Sequence, residues 1–341
     1  MSPQSPSSDD RRIGLAVRAA RLYYLQELDM ATIGRELGMS RSSVSRLLAF
    51  ARSTGLVDIT IHPPADRTGE LAGELRRRFT VEAEVVPTTS QTTDIDRLER
   101  VGQAAGRLLS HVVDSDMTLG IAWGTTVSAM SRHLEPRELW NLSIVQLNGA
   151  GNSTTSGIDY ASAILERFAD AYSARVEHFP VPAFFDEADT KVALWRERST
   201  RRVLDVQRRM DVALFGLGTP DADVPGHVYA GGYLAPDDFA ALRRDGVAGD
   251  VATRFYRHDG SDAGIALNER SSGPDLDTIR SVQRRICVVA GESKAAATEG
   301  AFAAGLITDL VADESLARLL IHRDDLRRGA PDTQSRARRR G

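Results

Sequence analysis

Met30-Ala31-Thr32-Ile33-Gly34-Arg35-Glu36-Leu37-Gly38-Met39-Ser40-Arg41-Ser42-Ser43-Val44-Ser45-Arg46-Leu47-Leu48 decides the N-terminal fold. Ile33 and Leu37, four apart, predict a short helix over 29–37. Gly38 permits the positive φ of a tight turn, and the Ser40 hydroxyl can cap a second helix by accepting from an amide one turn on. Val44, Leu47 and Leu48 then carry the helical period to about Thr54, where Gly55 closes it. Gly34 is small where the two helix backbones must approach, and Ile33, Leu37, Met39, Val44 and Leu47 supply the shared core. Arg41, Ser42, Ser45 and Arg46 remain outside, a set of hydroxyls and guanidiniums suited to base edges and phosphates. The pattern is that of a helix-turn-helix, with Ser40, Arg41, Ser42, Ser43, Ser45 and Arg46 as candidate DNA contacts. The competing reading is a plain helical hairpin with a solvated arginine-rich face.

Working outward, residues 12–27 place Ile13, Val17, Ala20 and Tyr24 at helical spacing, and Val57-Asp58-Ile59-Thr60-Ile61 alternates with period two. The first reads as a leading helix and the second as the wing of a winged helix. Pro63-Pro64 marks a boundary. Charge supports this division. Residues 11–57 carry +5 and residues 323–341 carry +4, while 58–322 carry −11 inside a chain whose net charge is −4. A basic cap that coincides with a helix-turn-helix is an electrostatic footprint for nucleic acid. Of the 43 basic residues only Lys191 and Lys294 are lysine.

Composition excludes several classes. A length of 341 residues suits about two domains, and 42% hydrophobic residues is enough for packed cores. One cysteine, Cys287, forbids an intramolecular disulfide. No apolar run approaches the ~20 residues needed to cross a bilayer, and residues 1–10 lack the basic start and apolar core of a secretory signal. The expectation is a cytoplasmic protein without a membrane partner.

Beyond the boundary, a linker helix is expected over 66–79 within a connecting segment 63–80. Strands are then expected at 82–87, 117–122, 143–148, 174–179, 211–215, 251–256, 285–290 and 308–311. Helices are expected at 94–112, 125–134, 157–171, 187–209, 236–244, 275–283, 293–304 and 313–321. Such alternation argues for an α/β fold, a Rossmann-like, mostly parallel sheet over 81–322 with helices on both faces. Residues 1–10 and the arginine-rich 323–341 are expected to be disordered.

Several expected strands end in glycine turns: Gly124-Thr125-Thr126, Asn148-Gly149-Ala150-Gly151-Asn152, Gly216-Leu217-Gly218 and Gly291-Glu292-Ser293-Lys294. Ligands of open α/β sheets lie beyond the carboxyl ends of the strands, so these turns point to one pocket. Thr125 and Thr126 at a helix start favour an anion. Lys294 stands at a helix start, where a cation is disfavoured unless an anion is near. Asp250 can accept from sugar hydroxyls. Each glycine taken singly also fits a plain tight turn. The seven histidines are scattered singly, so neither metal nor cofactor is expected, and Cys287 reads as inert packing.

Together these residues resemble the SorC family of sugar-responsive transcriptional regulators, relatives of the central glycolytic gene regulators and the autoinducer-2 regulator. The resemblance spans about residues 11–322. It rests on Ser40–Leu48, Trp123-Gly124-Thr125-Thr126, Gly216-Leu217-Gly218, Gly249-Asp250 with Arg254-Phe255, Gly291-Glu292-Ser293-Lys294, and Thr308-Asp309-Leu310 before Asp313-Glu314. It implies an effector domain on the fold of glucosamine-phosphate deaminase and ribose-phosphate isomerase, and a repressor or activator of a carbohydrate or polyol operon. Its operator affinity would follow a bound sugar, polyol or sugar phosphate. It implies a homo-oligomer, usually a tetramer assembled from dimers. Its ligand positions fall on Gly124, Thr125, Thr126, Asp250 and Lys294, with Gly149, Gly151, Asn152, Gly216 and Gly218 at the same mouth and Phe184 and Phe185 as an apolar wall. The alternative is a sugar-phosphate isomerase or deaminase-like enzyme that uses the same pocket, with Lys294 or a carboxylate as base.

Overall fold

The structure, a computed structural model, describes residues 8–24, 26, 28–57, 67–89, 91–220 and 226–329. The chain divides into two compact units, 1–65 and 66–341.

The first unit packs α1 (Ser8–Tyr24), α2 (Met30–Leu37) and α3 (Arg41–Ser53). Asp29 caps α2, its Oδ1 accepting from the Ala31 and Thr32 amides at 2.8 and 2.9 Å. Gly38 ends α2 at φ 65, and the Met39 amide donates to the Gly34 carbonyl at 2.8 Å. A Cβ on Gly34 would lie 2.7 Å from the Met39 oxygen, so the turn closes only around glycine. Ile33, Val44, Leu48 and Ala51 meet Ala16, Ala19, Ala20 and Leu22 in the core. The inward face of α1 is therefore the alanine face, small enough for close helix approach. Ile13 and Val17, expected inside, are 41% and 36% exposed. α1 begins at Ser8, inside the segment 1–10 expected to be disordered. The expected wing strand falls, from residue 58 on, outside the described residues, as does Pro63-Pro64.

The second unit opens with α4 (Arg67–Phe79), which is no free linker. Its Ala72 and Leu75 are buried in the core of this unit. The strands are β1 (Glu82–Val86), β2 (Thr118–Ile121), β3 (Ser143–Gln146), β4 (Arg175–Glu177), β5 (Val212–Phe215), β6 (Val247–Val251), β7 (Arg254–Arg257), β8 (Arg284–Val289) and β9 (Asp309–Asp313). Seven form one sheet in the order β1-β9-β8-β5-β2-β3-β4, every pair parallel. Alternate residues serve opposite faces: Cys287 and Val289 of β8 join one core, Ile286 and Val288 the other. α5 (Asp94–Val112) and α6 (Thr125–Met130) follow β1 and β2.

Three expectations change. The strand expected at 251–256 is a separate antiparallel hairpin, β6 and β7. Ala252 and Thr253 both take positive φ, 48° and 68°, and so reverse the chain inside an apolar run. The helix expected at 187–209 is two, Ala188–Leu194 and Arg198–Gln207, interrupted where Trp195 packs on Phe179 and Phe185. The last helix runs Glu314–Gly329, so the first part of the expected disordered tail is ordered. Residues 330–341 lie outside the described residues.

Candidate functional site

The strand order reverses between β2 and β5: the chain leaves β2 toward β3 and β4, and leaves β5 toward β8 and β9. A cavity of about 770 Å³ opens there, at the carboxyl ends of the strands. After β2, Gly124 starts α6, which no side chain caps. A Cβ on Gly124 would meet nothing within 4 Å, so that space belongs to the cavity. Thr125 and Thr126 line it from the first turn of α6. Gly216 and Gly218 follow β5, and Gly291 to Lys294 follow β8.

Asp250, only 4% exposed, forms the floor. Its Oδ1 accepts from the Tyr229 hydroxyl at 2.7 Å and its Oδ2 from the Thr253 amide at 3.3 Å. The carboxylate sits where a side chain at 218 would stand, since a Cβ there would lie 1.8 Å from Asp250 Oδ1. Gly218 and Asp250 also exchange backbone hydrogen bonds of 3.0 and 3.1 Å. Burial raises the Asp250 pKa above the usual carboxylate range, opposed by the Tyr229 bond and the charge of Lys294. Burial lowers the Lys294 pKa, opposed by Asp250. Among the described residues no carboxylate lies within ion-pair distance of Lys294. Among the charged groups that line the pocket, burial thus makes Asp250 and Lys294 costly to charge in the absence of an occupant. Gly291 is fixed from β9: its amide donates to Asp313 Oδ2 at 2.6 Å.

The structure brings together Gly124, Thr125, Thr126, Gly216, Gly218, Asp250 and Lys294. It does not bring Gly149, Gly151 or Asn152 to the cavity. Gly149 lacks a side chain for packing, since a Cβ would lie 2.2 Å from the Val181 carbonyl. Gly151 bridges to Pro182. Asn152 folds its own turn, its Oδ1 accepting from the Thr154 and Thr155 amides at 2.9 and 2.8 Å. Phe184 stacks on Phe255 and Phe185 packs on Trp195, both away from the pocket. Lys191 donates to the Asn268 carbonyl at 3.3 Å. Cys287 is buried in β8, where burial pushes its thiol pKa up.

Other residues join the lining. Asn148, 1% exposed, lies two residues beyond β3 beside the cavity, and its Oδ1 has no hydrogen-bond partner among the described residues. Its place at a strand end was the available signal. His227 and Tyr229 come from a four-residue helix after β5. The His227 ring stacks on Tyr160 at 4.2 Å, and its burial lowers the imidazole pKa. Nothing in their spacing marks these two. Among the described residues no cluster could hold a metal ion.

On α3, Arg41, Ser42, Ser45 and Arg46 are exposed. Ser40 is a structural cap, its hydroxyl accepting from the Ser43 amide at 3.2 Å. Ser43 is half-buried, bonded to Ser40 at 2.9 Å and accepting from Arg46 Nη2 at 3.3 Å.

A family model described as "Putative sugar-binding domain" matches residues 64–322. The chain is 30% identical over 317 residues to the deoxyribonucleoside regulator of Bacillus subtilis, covering 92% of this chain and 99% of that protein. The chain belongs to the SorC family of sugar-binding transcriptional regulators. The sorbitol operon regulator SorC of Klebsiella pneumoniae, solved at full length, is 25% identical, with a TM-score of 0.68 over 92% of this chain and all of that one. A domain of "a possible sugar-binding transcriptional regulator" from Arthrobacter aurescens is 52% identical, with a TM-score of 0.72 over 76% of this chain and all of that one. This SorC-family chain is therefore a DNA-binding regulator with a sugar-binding domain and not an enzyme of the isomerase or deaminase type. No helix among the described residues is long and apolar enough to cross a membrane.

Proposed function

We propose that this regulator works in the cytoplasm as a homo-oligomer, a dimer or tetramer, on the operator of a carbohydrate or polyol operon. A sugar, polyol or sugar phosphate in the cavity sets its operator affinity. Arg41, Ser42, Ser45 and Arg46 face the DNA, while Ser40 and Ser43 hold the start of the recognition helix. Lys294 and the uncapped start of α6 at Thr125 and Thr126 receive the electron-rich group, and Asp250 and Asn148 accept from hydroxyls. The observation that carries this reading is the buried Asp250 and the half-buried Lys294, which no carboxylate among the described residues pairs, lining one cavity at the strand-order reversal. A ligand that brings a hydroxyl to one and an anion to the other removes both desolvation costs, which gives the bound state its advantage.

A thermal-shift screen of aldoses, ketoses, polyols and their phosphates tests the proposal. A ligand present at 100 times its Kd stabilises by about 2.7 kcal/mol, several degrees for a unit of this size. The true effector raises the transition temperature of the wild type and leaves that of Lys294→Met unchanged. Equal shifts in both proteins would remove Lys294 from the site.

A further inference from the structure

The basic C-terminal stretch belongs to neither the pocket nor the DNA-reading helix, and three of its arginines hold carboxylates. Helix Glu314–Gly329 begins at the cavity, which Glu314, Ser315 and Arg318 line. Its first turn is capped by Asp313, whose Oδ1 accepts from the Ser315 amide at 3.1 Å while Oδ2 holds Gly291. Helix Ala295–Ala303 also begins at the cavity, with Lys294 as its N-cap residue. One turn on it carries Glu299, 5% exposed. Arg323 Nε and Arg327 Nη2 each reach Glu299 Oε1 at 2.9 Å. Two of the helices that start at the pocket are therefore bolted together, one turn into helix 295–303 and near the far end of helix 314–329.

The same pair grips α4. Arg78 Nη1 donates to Asp324 Oδ2 at 3.1 Å and to the Ile321 carbonyl at 3.3 Å, and also pairs with Asp325. Its Nε donates to Glu74 Oε2 at 2.9 Å. Phe79 stacks on Phe302 at 4.4 Å with planes 14° apart. The Arg78 side chain is 19% exposed, so this contact is shielded more than an ordinary surface ion pair. α4 is the first described element after the unit boundary at 65/66. Helix 314–329 is thus tied by side chains to α4, the element with which the second unit begins.

We infer that the cluster Glu299–Arg323–Arg327 with Asp324–Arg78–Asp325 is the coupling device of this regulator, and that Arg78 is its positioning residue. An occupant drawn onto Lys294 and the Gly291 turn displaces two helices held as one body, and Arg78 delivers that displacement to α4. Packed helices shift as discrete bodies and do not deform continuously, so a clamp near the far end of helix 314–329 transmits movement made at its start. The inference rests on the effector reading of the cavity.

The test uses the full chain, a DNA fragment selected by the wild type from a random-sequence pool, and sorbitol 6-phosphate and ribose 5-phosphate as probes. Arg78→Ala and the double variant Asp324→Asn/Asp325→Asn break the same contact from opposite sides. Both are expected to exchange the amides of residues 67–79 at least tenfold faster, with residues 118–130 and 284–298 unchanged. Probe affinity of the DNA-free chain should stay within twofold of wild type, while the probe-induced change in DNA affinity falls at least fivefold. Arg78→Lys, which keeps the charge, should recover part of the response. Unchanged exchange in α4 overturns the inference, and so does a full DNA response in a variant whose α4 has loosened. If neither probe alters DNA binding by the wild type, the effector reading fails for these two sugars, and exchange in α4 alone decides the clamp.

Discussion

Alanine placed at Gly218 and at Gly124 gives opposite results, because the structure gives the two positions opposite surroundings. At 218 the new Cβ would lie 1.8 Å from Asp250 Oδ1, 2.8 Å from Asp250 Cγ and 2.8 Å from Tyr229 Cε2. No rotamer of alanine relieves this, so the Asp250 carboxylate must leave its seat and the 2.7 Å Tyr229 bond breaks. Overpacking costs about 1–3 kcal/mol, and a lost hydrogen bond to a charged group about 1.5–3 kcal/mol. Gly218→Ala should therefore lower the transition temperature of the sugar-binding unit by about 5–15 °C. At 124 nothing lies within 4 Å of the new Cβ, and φ 165 is extended backbone open to any residue. Gly124→Ala should melt within about 1 °C of wild type yet lose the thermal shift given by the effector, because its methyl occupies ligand space. Differential scanning calorimetry with and without effector reads both effects. Equal melting of the two variants would refute the assignment of Gly218 to packing around Asp250 and of Gly124 to the ligand.

Arg41→Ala and Arg46→Ala should each flatten the plot of log affinity against log salt by about 0.9 if the side chain neutralises one phosphate, as fluorescence anisotropy titrations would show. An unchanged slope with lost sequence discrimination would move that arginine to a base edge. Ser40→Ala removes the cap of α3 and should cost about 1 kcal/mol in chemical denaturation of the N-terminal unit; a neutral result would show that the cap contributes nothing. Burial raises the Asp250 pKa, so the stability this group contributes is full in acid and is lost as pH rises through its elevated pKa. The melting temperature of Asp250→Asn should therefore gain on wild type as pH rises from below the ordinary carboxylate range, and a wild-type advantage that grows with pH would contradict the direction.

The helix-turn-helix was legible because its turn has narrow chemical requirements. Gly34 must let Met39 approach, Gly38 must take a positive φ, and Ser40 must cap. The parallel sheet was legible because its strands are short apolar runs between helical periods. The β6–β7 hairpin was not, because Ala252 and Thr253 turn the chain without the glycine or asparagine that usually announces positive φ. Glycine was an ambiguous guide to the pocket. Gly124 leaves room for a ligand, while Gly149 leaves room for the Val181 carbonyl, and spacing alone does not separate these causes. His227 and Tyr229 reach the pocket from a short helix between strands and leave no periodic trace. The ordered start of the C-terminal arginine stretch was hidden for another reason: Arg323 and Arg327 find their carboxylate on a different helix.

The central claim is that occupation of the cavity, through Lys294, controls DNA binding. The most direct measurement is the affinity of wild type and Lys294→Met for one operator fragment, with and without the effector found in the thermal-shift screen. The account predicts equal affinities without effector, a change of about tenfold or more in the wild type when it is added, and no change in the variant. A variant whose operator affinity still follows the effector as the wild type does would contradict it.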